Sequence, residues 1–396
     1  MIIRNEYLDQ LKSFRDKKLI KVVTGIRRCG KSTMFEIFKD ELLKNGVLEE
    51  QITTINFEDA EFEHLMERKV LYAHIKERLL PDKMNYIFLD EIQHVEDWQR
   101  VVDSLFIKKN CDVYITGSNA YLLSGELATL LSGRYVEIKM LPLSFAEYMS
   151  TMPDKVDLQK KYSAYLKNSS FPYTLELSKP KDIRAYLDGI YTSVVLNDVV
   201  KRKKIADVAA LESVIRFMFD NIGNLCSAKK IADTLTSGGR KISTHTIDNY
   251  LTALCDSFIL YKTGRYDIKG KQYLKTGEKY YIADIGLRYY LLGAQKADMG
   301  RSLENVIFLE LLRRGYDVRI GKVGNTEVDF IATNENGVEY YQVSLTVRDE
   351  NTLVRELNPL DNISDHNPKF LLTLDEDLET SHNGIRQINA LDWLLA

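Results

Sequence analysis

"GIRRCGKST", residues 25–33, decides how this chain is read. It fits the pattern G-x-x-x-x-G-K-[S/T], with Gly25, Gly30, Lys31 and Ser32 at the required places. Each residue type has a physical reason to be there. Glycines let consecutive backbone N–H groups curl around phosphate oxygens at the start of a helix. A lysine at position 31 can reach the β- and γ-phosphates, and the Ser32 hydroxyl is a hard oxygen ligand suited to Mg²⁺. Arg28, Cys29 and Thr33 complete the turn. Of Arg27 and Arg28, one is expected on phosphate and the other solvated or paired. Cys29 is expected to be buried beside the phosphates. The motif also has the right neighbours. "LIKVVTG" (19–25) is a short β-rich run, and "MFEIFKDELLKNG" (34–46) has helical periodicity and a glycine stop.

Beyond the loop, strand-like and helix-like segments alternate. "ITTINFED" (52–59), "NYIFLDEI" (85–92), "DVYITGSN" (112–119) and "YVEIKML" (135–141) read as strands. "HLMERKVLYAHIKERLL" (64–80) and "VEDWQRVVDSLFIKK" (95–109) read as helices. Short strands apolar on both faces, separated by helices, predict an α/β fold with a parallel sheet. The run Tyr86–Leu89 delivers Asp90 and Glu91 to a strand's C-terminal end, where ligands sit in open parallel sheets. Asp90 can hold Mg²⁺ through water, and Glu91 can orient and deprotonate an attacking water. ATP and Mg²⁺ are therefore the expected ligands. After the next strand, Asn119 or Ser118 can fix that water, or else cap the following helix. Arg134, in "LSGRY" (131–135), either reaches a neighbouring subunit's γ-phosphate or is a surface charge.

The pieces "TGIRRCGKST", "FLDEIQ", "TGSNAYLL", "LSGRYVEI", "LPLSFAEY", "ADIGLRYYLLG" and "EVDFIA" together resemble the prokaryotic AAA+-type predicted ATPases whose C-terminal domain was long catalogued as of unknown function. That resemblance implies a P-loop AAA+ parallel-sheet core (1–142), a helical lid (143–205), a winged-helix domain (206–295) and a C-terminal α/β restriction-endonuclease-like domain (296–396). It also implies a homo-oligomeric ring, for instance a hexamer.

Bulk properties add a partner. The chain has 396 residues and a net charge of −3. Residues 201–280 carry 15 Lys/Arg against 8 Asp/Glu, so +7, and the remainder carries −10. A basic middle in an acidic chain points to a polyanion. Residues 226–267 have helix-turn-helix grammar. "AKKIADTL" is a first helix, and "HTIDNYLTALCDS" a second, with Ser243 or Thr244 as its cap. Thr244, His245, Thr246 and Asn249 are left outward at the second helix's start, where a DNA groove would lie, and Lys241 just before it is a further candidate DNA contact. A flexible β wing follows, carrying Lys262, Arg265, Lys269, Lys271 and Lys275 for phosphate contact. The second helix has no arginine and carries Asp248, so backbone- or structure-directed DNA binding is expected over base-specific reading, with branched DNA as one target. The open alternative is a nucleotide-dependent switch or scaffold whose basic face binds protein partners, as in a defence or signalling regulator.

The end of the chain holds a second constellation. Nuclease sites of the restriction-endonuclease type use two acids around a divalent ion and a lysine that activates water. "LENVIFLELLRRGYDVRI" (303–320) offers Glu304. "EVDFIATNENGVEYYQVSLTV" (327–347) offers Asp329, but Gln342 and Ser344 stand where an acid and a lysine are needed. The expectation is a retained nuclease fold that has lost its active site; weak activity using another lysine and an unrelated α/β tail are the open alternatives.

No apolar run approaches the roughly 18 residues of a membrane span, and the start of the chain lacks a signal peptide's apolar stretch. The four cysteines show no CxxC spacing and the histidines no metal-ligand spacing, so free thiols in a reducing cytoplasm are expected.

Overall fold

The computed structural model describes residues 2–123, 131–154, 156–293, 298–377 and 379–396. The expected boundary at 295/296 lies outside the described residues. The chain forms two compact bodies, Met1–Leu141 with Asp256–Phe258, and Pro142–Cys255 with Ile259–Ala396.

The first body is built on five strands, β1 (Ile20–Thr24), β2 (Ile52–Asn56), β3 (Asn85–Asp90), β4 (Cys111–Gly117) and β5 (Tyr135–Lys139). They pair in the order β2-β3-β4-β1-β5, and every pair is parallel. Helices α1 (Asn5–Phe14), α2 (Lys31–Lys44), α3 (Arg68–Arg78) and α4 (Trp98–Ile107) belong to the same body. β1, β3 and β4 are buried along their whole length, as their continuous apolar runs require. Ile20, Val22, Ile87, Leu89, Val113 and Ile115 join Val101, Val102 and Leu105 of α4 in one core. One buried feature breaks the apolar rule. Lys21 of β1 is paired with Asp112 of β4, and both are almost fully buried. Asp112 also accepts from the Tyr114 hydroxyl at 2.7 Å and from the Asp16 N–H at 2.9 Å, so its remaining lone pairs are used.

The second body begins with helices Phe145–Met149, Leu158–Asn168 and Pro180–Ile190. Helices Val208–Asp220, Ala228–Ser237 and Thr244–Asp256 follow. Ser227 caps the second of these through the Lys230 N–H, and Ser243 accepts from the Thr246 N–H at 3.1 Å at the start of the third. A single nine-stranded sheet then runs through the rest, in the order β13-β14-β12-β11-β10-β9-β7-β8-β6. Its strands are β6 (Leu225–Cys226), β7 (Leu260–Asp267), β8 (Gln272–Ile282), β9 (Asp317–Val323), β10 (Thr326–Asn334), β11 (Gly337–Val343), β12 (Lys369–Thr373), β13 (Thr380–His382) and β14 (Ile385–Asn389).

This sheet corrects the expectation of a flexible wing. β7 pairs in parallel with β9, with Arg265 opposite Ile320 and Asp267 opposite Lys322. The β7–β8 hairpin thereby lies between β9, which pairs with Arg265–Asp267, and β6, which pairs with Glu278 and Lys279.

Candidate active site

The phosphate loop starts where β1 ends. Gly25 has φ +150°, and a Cβ there would stand 2.1 Å from the Met140 carbonyl oxygen, so no other residue fits. Arg28 (φ 69°) and Gly30 (φ 104°) also have positive φ, which curls the loop before α2. The Met34 N–H donates to the Gly30 carbonyl at 3.0 Å and closes the first helical turn. Ser32 and Thr33 are solvent-exposed at this helix start, and the Arg28 side chain is exposed as well. Arg27 is paired with Glu58. Cys29 points inward, with Sγ 3.4 Å from the Met140 carbonyl, and burial raises its thiol pKa. Its side chain is a packing element, and only its backbone is available to a ligand.

β3 lies two strands away from β1, with β4 between them. Its end brings Asp90 and Glu91 to the loop. The Lys31 ammonium lies 3.4 Å from Glu91 Oε1 and donates to the Gly25 carbonyl at 3.1 Å. Asp90 accepts from the Thr116 hydroxyl, and Ser32 is near enough to help lower its carboxyl pKa. Burial pushes the Asp90 carboxyl up, against the pull of those two donors. Burial also works to raise Glu91, but Lys31, Gln93 and Ser118 outweigh it and hold the carboxyl below its ordinary value. Glu91 has φ 53°, a left-handed backbone that a glutamate rarely adopts.

The donor set fits Mg²⁺. A serine hydroxyl and a nearby carboxylate at the mouth of a phosphate loop are hard oxygen ligands of the kind this ion takes alongside phosphate. Ser32 and Asp90 would hold it.

Sequence reading missed two residues here. Thr116 of β4 donates to Asp90 and accepts from the Glu91 N–H at 2.8 Å, bridging both acids. Gln93 donates to Glu91. Of the two residues read as water-fixing, Ser118 reaches Glu91. Asn119 is buried, and its carbonyl accepts from the Leu122 N–H at 3.1 Å. Arg134 is paired with Asp103 of α4, and its guanidinium lies 5.6 Å from the Phe106 ring centroid.

The second body gathers another cluster. Glu304, Asp329 and Gln342 are brought together with Lys279, which sequence reading did not single out. Lys279 of β8 lies 3.1 Å from Glu304 and 2.9 Å from Glu327 and is almost fully buried. The Tyr281 hydroxyl donates to Glu304 at 2.7 Å. Asp329 accepts from the Val343 N–H at 2.9 Å, and burial together with Glu304 pushes its carboxyl up to about 8. Gln342 is occupied at both ends, accepting from the Asp329 N–H at 3.3 Å and donating to Glu356 at 2.8 Å. The Ser344 hydroxyl turns away to the Thr346 carbonyl. An ammonium therefore sits among the carboxylates where a nuclease would need a metal ion. Among the described residues no cluster of three or more His, Cys, Asp or Glu is arranged to hold a metal.

The residues expected on DNA differ in freedom. Lys241, Thr244, His245, Lys269 and Lys271 are exposed. Lys262 is paired with Glu278 at 2.5 Å. Arg265 is half-buried, and among the described residues its buried Nε has no hydrogen-bond partner.

A five-stranded parallel sheet with a phosphate loop after β1 and paired acids after β3 defines a P-loop ATPase fold of the AAA class. The AAA domain family (AAA_14) matches residues 17–149, and a domain family of unknown function (DUF8612) matches residues 159–298. An uncharacterized protein of Haemophilus influenzae is 44% identical over 401 residues, covering 100% of this chain and 99% of its own length. The uncharacterized protein MJ1544 of Methanocaldococcus jannaschii is 33% identical, covering 84% of this chain and 76% of its own. The chain belongs to one family with these two proteins. Among solved structures, the Walker-type ATPase PABY2304 of Pyrococcus abyssi aligns over 74% of this chain and 96% of its own, with a TM-score of 0.51 and 13% identity. That likeness concerns the fold. Among the described residues no helix is long and apolar enough to cross a membrane, and the four cysteines are free thiols.

Proposed function

We propose that the protein hydrolyses Mg-ATP and uses the cycle to act on DNA. The observation that carries the hydrolytic half is the convergence of Lys31, Ser32, Asp90, Thr116 and Glu91 on one loop mouth. Lys31 binds the β- and γ-phosphates, and loop N–H groups between Gly25 and Thr33 cradle them. Bound Mg²⁺, held by Ser32 and Asp90, supplies positive charge to the phosphate oxygens. Glu91 takes the proton of the attacking water. Lys31 binds phosphate only after leaving Glu91, so the same movement that seats the nucleotide frees the base.

The DNA half is supported by the exposed basic and polar residues around Thr244–Asp256 and the hairpin turn at Lys269 and Lys271. They offer charge without base-reading arginines, which suits backbone- or structure-directed binding. Assembly into a ring, with Arg134 exchanging Asp103 for a neighbour's γ-phosphate, belongs to the same reading. The C-terminal module is read as nuclease-like without nuclease activity, because Lys279 already neutralises the acids.

A second reading has its own support. Lys262 is paired and Arg265 half-buried, so the hairpin presents less free charge than its sequence suggests. A nucleotide-dependent switch that binds protein partners would use such a surface.

Phosphate release from ATP, with and without duplex, forked and four-way DNA over a salt series, tests both. Lys31→Ala is expected to lose nucleotide binding, and Glu91→Gln to bind ATP and hydrolyse it at least about 100-fold more slowly. Wild-type protein without Mg-dependent turnover removes the hydrolytic reading. Absence of salt-sensitive DNA binding removes the DNA half and leaves the switch.

A further inference from the structure

Gln93 lies in the single turn Ile92–His94 that follows Glu91. The left-handed backbone of Glu91 folds the chain back, and the turn is closed by the His94 N–H on the Glu91 carbonyl at 3.2 Å. Its amide nitrogen donates to Glu91 Oε2, on the opposite carboxylate oxygen from Lys31. The other end of the same amide is anomalous. Among the described residues, Gln93 Oε1 is buried and has no hydrogen-bond partner. It lies 3.0 Å from where a Cβ of Gly117 would stand, at the very end of β4.

A glutamine at a surface turn ordinarily satisfies both ends of its amide with water. Here the carbonyl is desolvated with nothing in return, a cost that a residue without function at this position would avoid by turning outward. What the arrangement gains is one charge-assisted hydrogen bond to the acid that faces the phosphate loop. Lys31 cannot play that part during turnover, because it is drawn to the phosphates.

We propose that Gln93 is a positioning residue, which keeps the Glu91 carboxylate aimed at the attacking water once Lys31 has moved to the nucleotide. The inference rests on the hydrolytic reading above. Gln93 donates to Glu91 Oε2, leaving Oε1, the oxygen Lys31 vacates, to accept the water's proton. The absence of a side chain at Gly117 provides the space in which the amide lies.

The test is steady-state ATP turnover of the full chain. Gln93→Leu keeps the volume and removes the donor, and Gln93→Asn keeps the amide but shortens its reach. Each is expected to lower kcat about tenfold or more. KM for ATP and affinity for a non-hydrolysable ATP analogue should stay within about twofold, because the residue makes no phosphate contact. That retained affinity also shows that the variants are folded. In a Glu91→Gln background, Gln93→Leu should change the residual rate less than about twofold, since its effect passes through the carboxylate. A Gln93→Leu rate equal to or above wild type, or a full additional loss in the Glu91→Gln background, overturns the proposal. Wild-type protein that does not turn over ATP overturns the hydrolytic reading itself and the proposal with it.

Discussion

The Lys31 ammonium is 3.4 Å from the Glu91 carboxylate, so the phosphate ligand and the expected base neutralise one another. Both are nearly fully buried. Neither charge could be left alone there without several kcal/mol of desolvation cost. An arriving triphosphate replaces Glu91 as the partner of Lys31, which couples nucleotide binding to release of the carboxylate.

Thr116 ties that pair to the neighbouring strand. It donates to Asp90 and accepts from the Glu91 N–H. Thr116→Val is close in shape but has no hydroxyl, and it leaves a buried N–H unpaired. We expect a stability loss of about 1–3 kcal/mol and weaker binding of Mg-ATP with a smaller change for ATP without metal. Titration with a fluorescent nucleotide, with and without Mg²⁺, measures this. Equal losses in both conditions would remove Thr116 from the metal side of the site.

Lys21 and Asp112 join β1 and β4 beneath the loop. Lys21→Met strands the Asp112 carboxylate in the core and should destabilise the protein by about 3–5 kcal/mol. Lys21→Met with Asp112→Leu should recover much of that, since a buried pair often contributes little net stability over a packed apolar one. Denaturant midpoints of the two variants decide it. Equal midpoints would mean that Asp112 tolerates isolation.

The phosphate loop and the acids at 90–91 were legible because their chemistry is written within nine and two adjacent residues. β1, β3 and β4 were legible as short buried runs, and the half-buried β2 and β5 at the sheet's edges as short β-rich runs spaced between helices. Lys21–Asp112 and Thr116 were not, because they depend on which strands become neighbours. β1 and β3 both pair with β4, an order that local periodicity does not encode. The same limit explains the wing. Strand alternation places Lys279 and Tyr281 on one face of β8, but only the tertiary packing of helix Met299–Arg313 puts Glu304 against that face. Gln93 was readable as a letter of "FLDEIQ" but not as a partner of Glu91, since that requires the left-handed turn at Glu91.

Lys279 occupies the acidic cluster of the second body as its resident cation. Lys279→Met should destabilise the protein by about 3–5 kcal/mol through the uncompensated acids. It should also open the cluster to a divalent ion. Mn²⁺ is expected to raise the melting temperature of Lys279→Met and to leave that of the same variant carrying Asp329→Asn nearly unchanged. Wild-type protein should show no such Asp329-dependent shift and no Mn²⁺-dependent DNA cutting. Cutting by the wild type that is lost in Asp329→Asn would show the module to be an active nuclease.

The same carboxyl predicts a pH dependence. Burial and the nearby Glu304 raise Asp329 from 3.8 to about 8. Between those values the folded protein binds one more proton at this site than the unfolded chain does, so stability falls as pH rises. The contribution is fully present below about pH 4 and is lost as the pH passes through about 8. The comparison of wild type with Asp329→Asn isolates this site, and a window of about pH 6 to 8.5 spans its folded value. Melting temperature should decline across it in wild type and decline less in Asp329→Asn, which holds a neutral group of the same shape. Parallel curves for the two proteins would mean that Lys279 and the Val343 N–H keep Asp329 ionised throughout.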